Sequence, residues 1–167
     1  VEVSLPDLRA EPYRRAELRV GSTVPPHEAP LALLAKTVCR IVDGEGPMHR
    51  EEVARRLTAA FGLSRAGSRI QDATDRALAA AQREGRLHLE GDFAMTEAQR
   101  GAPPVRDRSA ETAPTTRAAY LPPSEIRAAA DRVIRESGQM ATEELVVATA
   151  RLLGYARTGQ GVREAIL

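Results

Sequence analysis

The sequence predicts a mainly α protein made of tandem winged-helix-like units, each a three-helix bundle plus a β-hairpin, with the second unit truncated. Three observations predict it. Apolar residues recur at helical spacing, a hairpin signal follows the third such stretch, and the pattern of residues 30–75 returns at 122–167. The 167 residues, 43% apolar and 28% charged, fit a soluble globular class with room for one ordinary domain or two small ones. Aromatics are 3% and Trp is absent, so the core has to come from Leu, Val, Ile and Ala, which suits close-packed helices better than a large sandwich or barrel.

Residues 1–29 contain Pro6, Pro12, Pro25 and Pro26 and read as an irregular lead-in, with one short strand near Leu18 to Val20. From Pro30, Leu34, Val38, Ile41 and Val42 form one helical stripe that stops at Gly44 and Gly46. A second helix follows Pro47, with Val53, Leu57, Ala60 and Phe61 inward. Its Glu51 and Glu52 sit in the first turn, where the helix dipole favours acids, and Gly62 closes it. A third helix spans about Gly67 to Glu84, with Ile70, Thr74, Ala77, Leu78 and Ala81 inward. Then Leu87, Leu89, Phe93 and Met95 alternate around Gly91-Asp92, a hairpin signal. The first unit is therefore expected at 30–96.

Residues 97–121, rich in Pro, Ala, Thr and charge, read as a linker with a short strand at Val105 at most. A second, truncated unit is expected at 122–167. There Ile126, Ala130, Val133 and Ile134 repeat the first helix, and Leu145, Thr149, Leu152 and Leu153 the second. Laid over each other at an offset of 92 residues, 30–75 and 122–167 share ten identities in 46 positions without a gap, mostly at helix ends and turns. The phrase GLSRAGSRI (62–70) thus returns as GYARTGQGV (154–162). Gly62, Gly67, Gly154 and Gly159 read as structural turn residues. Gly62 supplies a positive φ, and Gly67 lets the third helix approach the second without a Cβ between them. The missing initiator Met and the abrupt end at Leu167 are read as marks of a fragment.

The net charge is +1, and all cations but Lys36 are Arg. No global attraction to nucleic acid follows, so any attraction has to be local. The Arg preference fits either phosphate and guanine recognition or simple codon bias. Cys39 reads as a core thiol in a reducing, cytoplasmic setting. No apolar run approaches the roughly 18 residues needed to span a membrane. His27, His49 and His88 have no metal-ligand spacing, Lys36 follows no phosphate loop, and the glycines at 159–161 lack the rest of a dinucleotide fingerprint. The expectation is no catalytic residues, no metal and no cofactor.

Arg69, Arg76 and Arg83, seven residues apart, drift only about 20° per step and form one stripe about 140° from the apolar face of the third helix. Packing that face inward turns the arginines out, on the side that enters the major groove in a helix-turn-helix. Arg65, Arg86 and His88 are expected to add backbone contacts to duplex DNA. The same residues also fit a solvated face neutralised by Asp72, Asp75 and Glu84, with an Asp72 to Arg76 pair for example.

The phrases GPMHREEVARRL and GLSRAGSRI, and the second unit from LPPSEIRAAADRVI to GYARTGQGVREAI, resemble the C-terminal region of very large bacterial proteins related to superfamily 1 DNA helicases. In that family a domain of unknown function follows the motor and a nuclease domain. The resemblance covers roughly 30–96 and 120–167, and a phrase near PVRDRS is also similar, whereas the second hairpin strand lacks the family's aromatic-proline ending. It implies an accessory module of a helicase-like parent, with no catalytic motif to carry over. Two roles follow as expectations: a non-catalytic duplex-DNA-binding module, or a scaffold packing on the parent's helicase and nuclease domains.

Overall fold

The computed structural model describes residues 8–167. Among them the order is β1 (Glu11–Pro12), α1 (Leu31–Glu45), β2 (Met48–His49), α2 (Arg50–Ala60), α3 (Ser68–Arg83), β3 (His88–Glu90), β4 (Phe93–Met95), α4 (Glu97–Gly101), β5 (Arg106–Asp107), α5 (Pro123–Ser137), α6 (Thr142–Leu152) and α7 (Gln160–Ile166). The protein is mainly α. The chain divides into two compact units, residues 14–102, and residues 103–167 together with the described residues up to Tyr13.

In the unit of residues 14–102, α3 packs on α1 and α2. Its Ala73, Ala77 and Ala81, spaced by four, form a row of small, fully buried side chains. Such a row lets two helices approach closely, and Leu34, Val38, Ile41 and Val42 of α1 share one core with it. The α2 end is a double turn around Gly62, whose φ is +76°. There the Gly62 N–H donates to the Ala59 carbonyl and the Leu63 N–H to that of Thr58, both at 3.0 Å. The hairpin turns at Gly91-Asp92, with Glu90 opposite Phe93 and Leu89 opposite Ala94. One strand is additional to the sequence expectation: β2 pairs with β4, giving the sheet order β2-β4-β3. Two residues are too few to show an alternating pattern.

The strand expected near Leu18 to Val20 does not form. Its backbone donors go elsewhere, the Ala16 N–H to Glu45 Oε1 at 2.8 Å and the Val20 N–H to the Ala60 carbonyl at 2.8 Å. Ala16 and Leu18 pack on the core. The segment 97–121 also differs from the irregular linker expected. Thr96 and Gln99 form a capping box that starts α4. The Gln99 amide then donates to the Val42 and Asp43 carbonyls at 2.6 and 3.2 Å, closing the end of α1. Arg108, Thr115, Tyr120 and Leu121 are buried.

In the other unit, α5, α6 and α7 each begin 92 residues after α1, α2 and α3, and α5 and α6 also end 92 residues after α1 and α2. Leu121, Ile126, Ala129, Val133, Ala148, Leu152 and Leu153 make the core. The strand expected at Val105 falls at β5, which pairs in parallel with β1. The α6 end repeats the double turn, with Gly154 at φ +98° and N–H bonds from Gly154 to Arg151 and from Tyr155 to Ala150.

The matched glycines do not all do matched work. Gly138 ends α5 at φ +75°, whereas its partner Gly46 is extended at φ −70°. Gly46 is instead required by space, since a Cβ there would lie 2.6 Å from Gln99 Oε1 and from the Val42 carbonyl. The close helix approach expected at Gly67 is not found. Gly67 and Gly159 are extended N-cap residues whose Cβ would meet nothing within 4 Å.

Candidate nucleic-acid interface

The outward face of α3 is built by its own periodicity. With Ile70, Ala73, Thr74, Ala77, Leu78 and Ala81 buried, Arg69, Arg76 and Arg83 are exposed. Arg65, in the α2–α3 loop, is exposed as well. Among the described residues none of these four guanidiniums forms an ion pair or a side-chain hydrogen bond, and the Asp72 to Arg76 pair is not made.

Two of the neighbouring acids, Asp75 and Glu84, are occupied instead. Arg50, the first residue of α2, reaches Asp75 on α3 at 3.0 Å and Asp92 in the hairpin turn at 3.2 Å. Its N–H also donates to the Asp92 carbonyl at 2.8 Å, and Gln71 donates to Asp75 at 3.0 Å. These bonds tie the hairpin tip to α2 and α3. A cavity of about 170 Å³ lies beside them, floored by Leu78, Leu89, Phe93 and Ala94.

Arg86 and His88 differ from the other four. Arg86 is exposed but pairs with Glu84 at 3.2 Å, and half-buried His88 pairs with Glu97. These two guanidinium and imidazole groups would have to leave an acid to meet a phosphate.

His49 caps α2, its Nδ1 accepting from the Glu51 N–H at 3.1 Å, with its ring edge-on to Phe93 at 5.3 Å between centroids. Burial pushes its pKa down, which Glu51 and Asp92 oppose. Glu52, expected as an acid of the first turn, is buried. Arg56 binds Glu45 through two hydrogen bonds of 2.7 and 2.9 Å and Glu52 at 3.1 Å, while Arg55 also pairs with Glu52. All are structural. A groove of about 720 Å³ along residues 15–20 and the end of α2 has no histidine, cysteine or hydroxyl side chain in its lining.

The corresponding helix of the other unit is different in kind. On α7, Gly161 stands where α3 has Arg69, and Arg163 is paired with Glu143. The buried carboxylate among the described residues of this unit is Glu125. It pairs with Arg108 and accepts the Arg106 N–H at 3.1 Å. Burial pushes the Glu125 carboxyl up, against the pull of Arg108. The Arg108 guanidinium lies over the Tyr13 ring, 5.0 Å from its centroid. A Cβ on Gly154 would lie 2.3 Å from the Arg108 nitrogen, so the 104–109 phrase lies directly against that turn.

Among the described residues no group of three or more His, Cys, Asp or Glu could hold a metal ion, and no helix is long and apolar enough to cross a membrane. The α2 and α3 residues above could not have been separated from ordinary surface charge by spacing alone. Arg50 in particular bridges positions 25 and 42 residues away in sequence. No curated protein and no solved structure matches this chain. A family model described as a protein of unknown function (DUF3320) matches residues 25–72, from the turn before α1 through the first residues of α3.

Proposed function

We propose that residues 30–96 form a winged-helix unit and that the chain is a non-catalytic module binding duplex DNA, with residues 67–84 as recognition helix and 86–96 as wing. The order α1-β2-α2-α3-β3-β4 and the three-stranded sheet support the winged-helix part. The observation that carries DNA binding is the α3 face: three exposed arginines in a row without internal partners, while Asp75 and Glu84 beside them are engaged by Arg50 and Arg86. Such a row offers phosphate and guanine bidentate donors. Arg65, Arg69, Arg76 and Arg83 are the principal contacts in this reading, with Arg86 and His88 in support. The sequence resemblance adds the context of a bacterial helicase-like parent, working in the cytoplasm and packing against its own helicase and nuclease domains.

Duplex titration at low and moderate salt tests it, comparing the chain with an Arg69/Arg76/Arg83→Glu variant. Binding should weaken steeply with salt, because neutralised phosphates release counterions, and the variant should lose at least about 100-fold in affinity, since three contacts reverse sign. Equal binding by the two proteins, or none by either, would leave the scaffold role in its place.

A further inference from the structure

We infer that Asp72 makes the α3 face a reader of G·C base pairs and not a general phosphate stripe. The inference rests on the DNA-binding reading above and concerns which duplex that site takes. On a helical wheel centred on Arg76, the positions within about 60° that are not buried are Arg69, Asp72, Arg76, Ala79 and Arg83. A carboxylate therefore sits inside the arginine row. Near phosphate it would be repelled, and sequence-independent binding consists of phosphate contacts. Asp75 and Glu84 are drawn off by Arg50 and Arg86, but Asp72 is exposed and has no partner among the described residues, neither Arg69 nor Arg76. Its acceptor oxygens are open to a donor from the ligand.

In the major groove the donors at base edges are amino groups, and the one an acid characteristically takes is cytosine N4. The spacing agrees. At 1.5 Å per residue, Asp72 lies about 4.5 Å along the axis from Arg69 and about 6 Å from Arg76, within one or two base-pair steps of each. Arg69 and Arg76 can then take guanine O6 and N7 on either side. Arg83, about 21 Å from Arg69 on a straight helix, lies beyond the few base pairs a recognition helix spans and is left for phosphate. No Asn or Gln lies in this sector, so the amide pairing that reads adenine is absent.

The experiment is selection of sites from a randomised duplex pool by the full chain, then titration of a selected and an A·T-only duplex with wild type and Asp72→Ala. Alanine favours the exposed helix, so folding is retained. Selected sites should carry guanines flanking a cytosine, preferred over the A·T duplex by about tenfold or more. Asp72→Ala should bind the A·T duplex several-fold more tightly and lose the part of the preference that Arg69 and Arg76 do not supply. A variant that keeps the full preference, or gains nothing on A·T duplex, overturns the role of Asp72. Wild type that binds duplex without preference overturns it too, while the DNA-binding reading stands. Absence of any duplex binding at low salt removes both.

Discussion

The two units use one helical plan but lock it with different buried glutamates. In residues 14–102 the carboxylate is Glu45, at the end of α1, which accepts the Ala16 N–H and holds Arg56 of α2. In the other unit it is Glu125, at the start of α5, which accepts the Arg106 N–H and holds Arg108 of the preceding segment. Each time an extended segment upstream of the first helix also donates to a carbonyl at the end of the second, Val20 to Ala60 and Arg108 to Leu153. The repeat thus preserves where the upstream segment docks, while the residues that hold it are not related by the offset of 92. The third helices diverge further, since the outward face of α3 carries unpaired arginines and α7 carries a glycine and a paired one. What recurs is a folding plan, and the surface is free to vary upon it.

The sharpest way to break this comparison is to remove the buried arginines. Arg56→Ala and Arg108→Ala each remove a guanidinium partner of a buried glutamate, and each should cost about 3–5 kcal/mol in its own unit. All three tyrosines, Tyr13, Tyr120 and Tyr155, belong to the second of the two units. Tyrosine fluorescence therefore follows that unit alone in a denaturant titration, while circular dichroism follows both. A loss below about 1 kcal/mol in either would show that the pair does not hold its unit together.

Next come the two glycines of the shared phrase. Gly62→Ala meets only an unfavourable φ and should cost about 1 kcal/mol. Gly154→Ala meets that and a 2.3 Å approach to the Arg108 backbone, and should cost about 3 kcal/mol or more. Equal losses would mean that the 104–109 segment yields easily.

A smaller effect is expected at Thr96, whose hydroxyl caps α4 by accepting the Gln99 N–H at 3.1 Å. Thr96→Ala should cost about 1 kcal/mol in the 14–102 unit. No change would return α4 to the status of a mere connector.

The smallest concerns pH. His49 has its pKa lowered in the fold by burial, so the unfolded chain binds its proton first as pH falls. Its contribution is complete above about 6.5 and is lost on acidification through the lowered value, as the cap is given up. His49→Asn keeps a capping acceptor and should flatten the stability profile on the acid side of about pH 6.5. A profile unchanged by that substitution would assign the acid sensitivity to other groups.

The helices that build the two cores were legible because each is a local pattern. Leu34, Val38, Ile41 and Val42 announce α1 by spacing, and Gly62 and Gly154 announce the ends of α2 and α6 by chemistry. What escaped is held at long range by polar residues. Glu45, Arg56, Arg108 and Glu125 look in sequence like surface charges, and nothing local distinguishes them from Glu17 or Arg127. Gln99 closes the end of α1 from 57 residues away, which is why 97–121 read as a linker. For the candidate site, the wheel gave the direction of Arg69, Arg76 and Arg83. It could not give their lack of partners, because Asp72 lies within helical reach of Arg69 and Arg76 and pairs with neither.

The docked upstream segment has a consequence for where the molecule can be cut. The region matched by the family model begins at residue 25 and ends at 72. A fragment trimmed to it would lack Ala16 and Leu18 over the core, the Ala16 N–H on Glu45, and Leu78, Ala81, Leu87 and Ala94 from the interior. It would leave the apolar faces of α1 and α2 bare. The stretch that the family model matches is thus smaller than the compact unit around it, and an excised piece has to run from about Arg14 to Ala102.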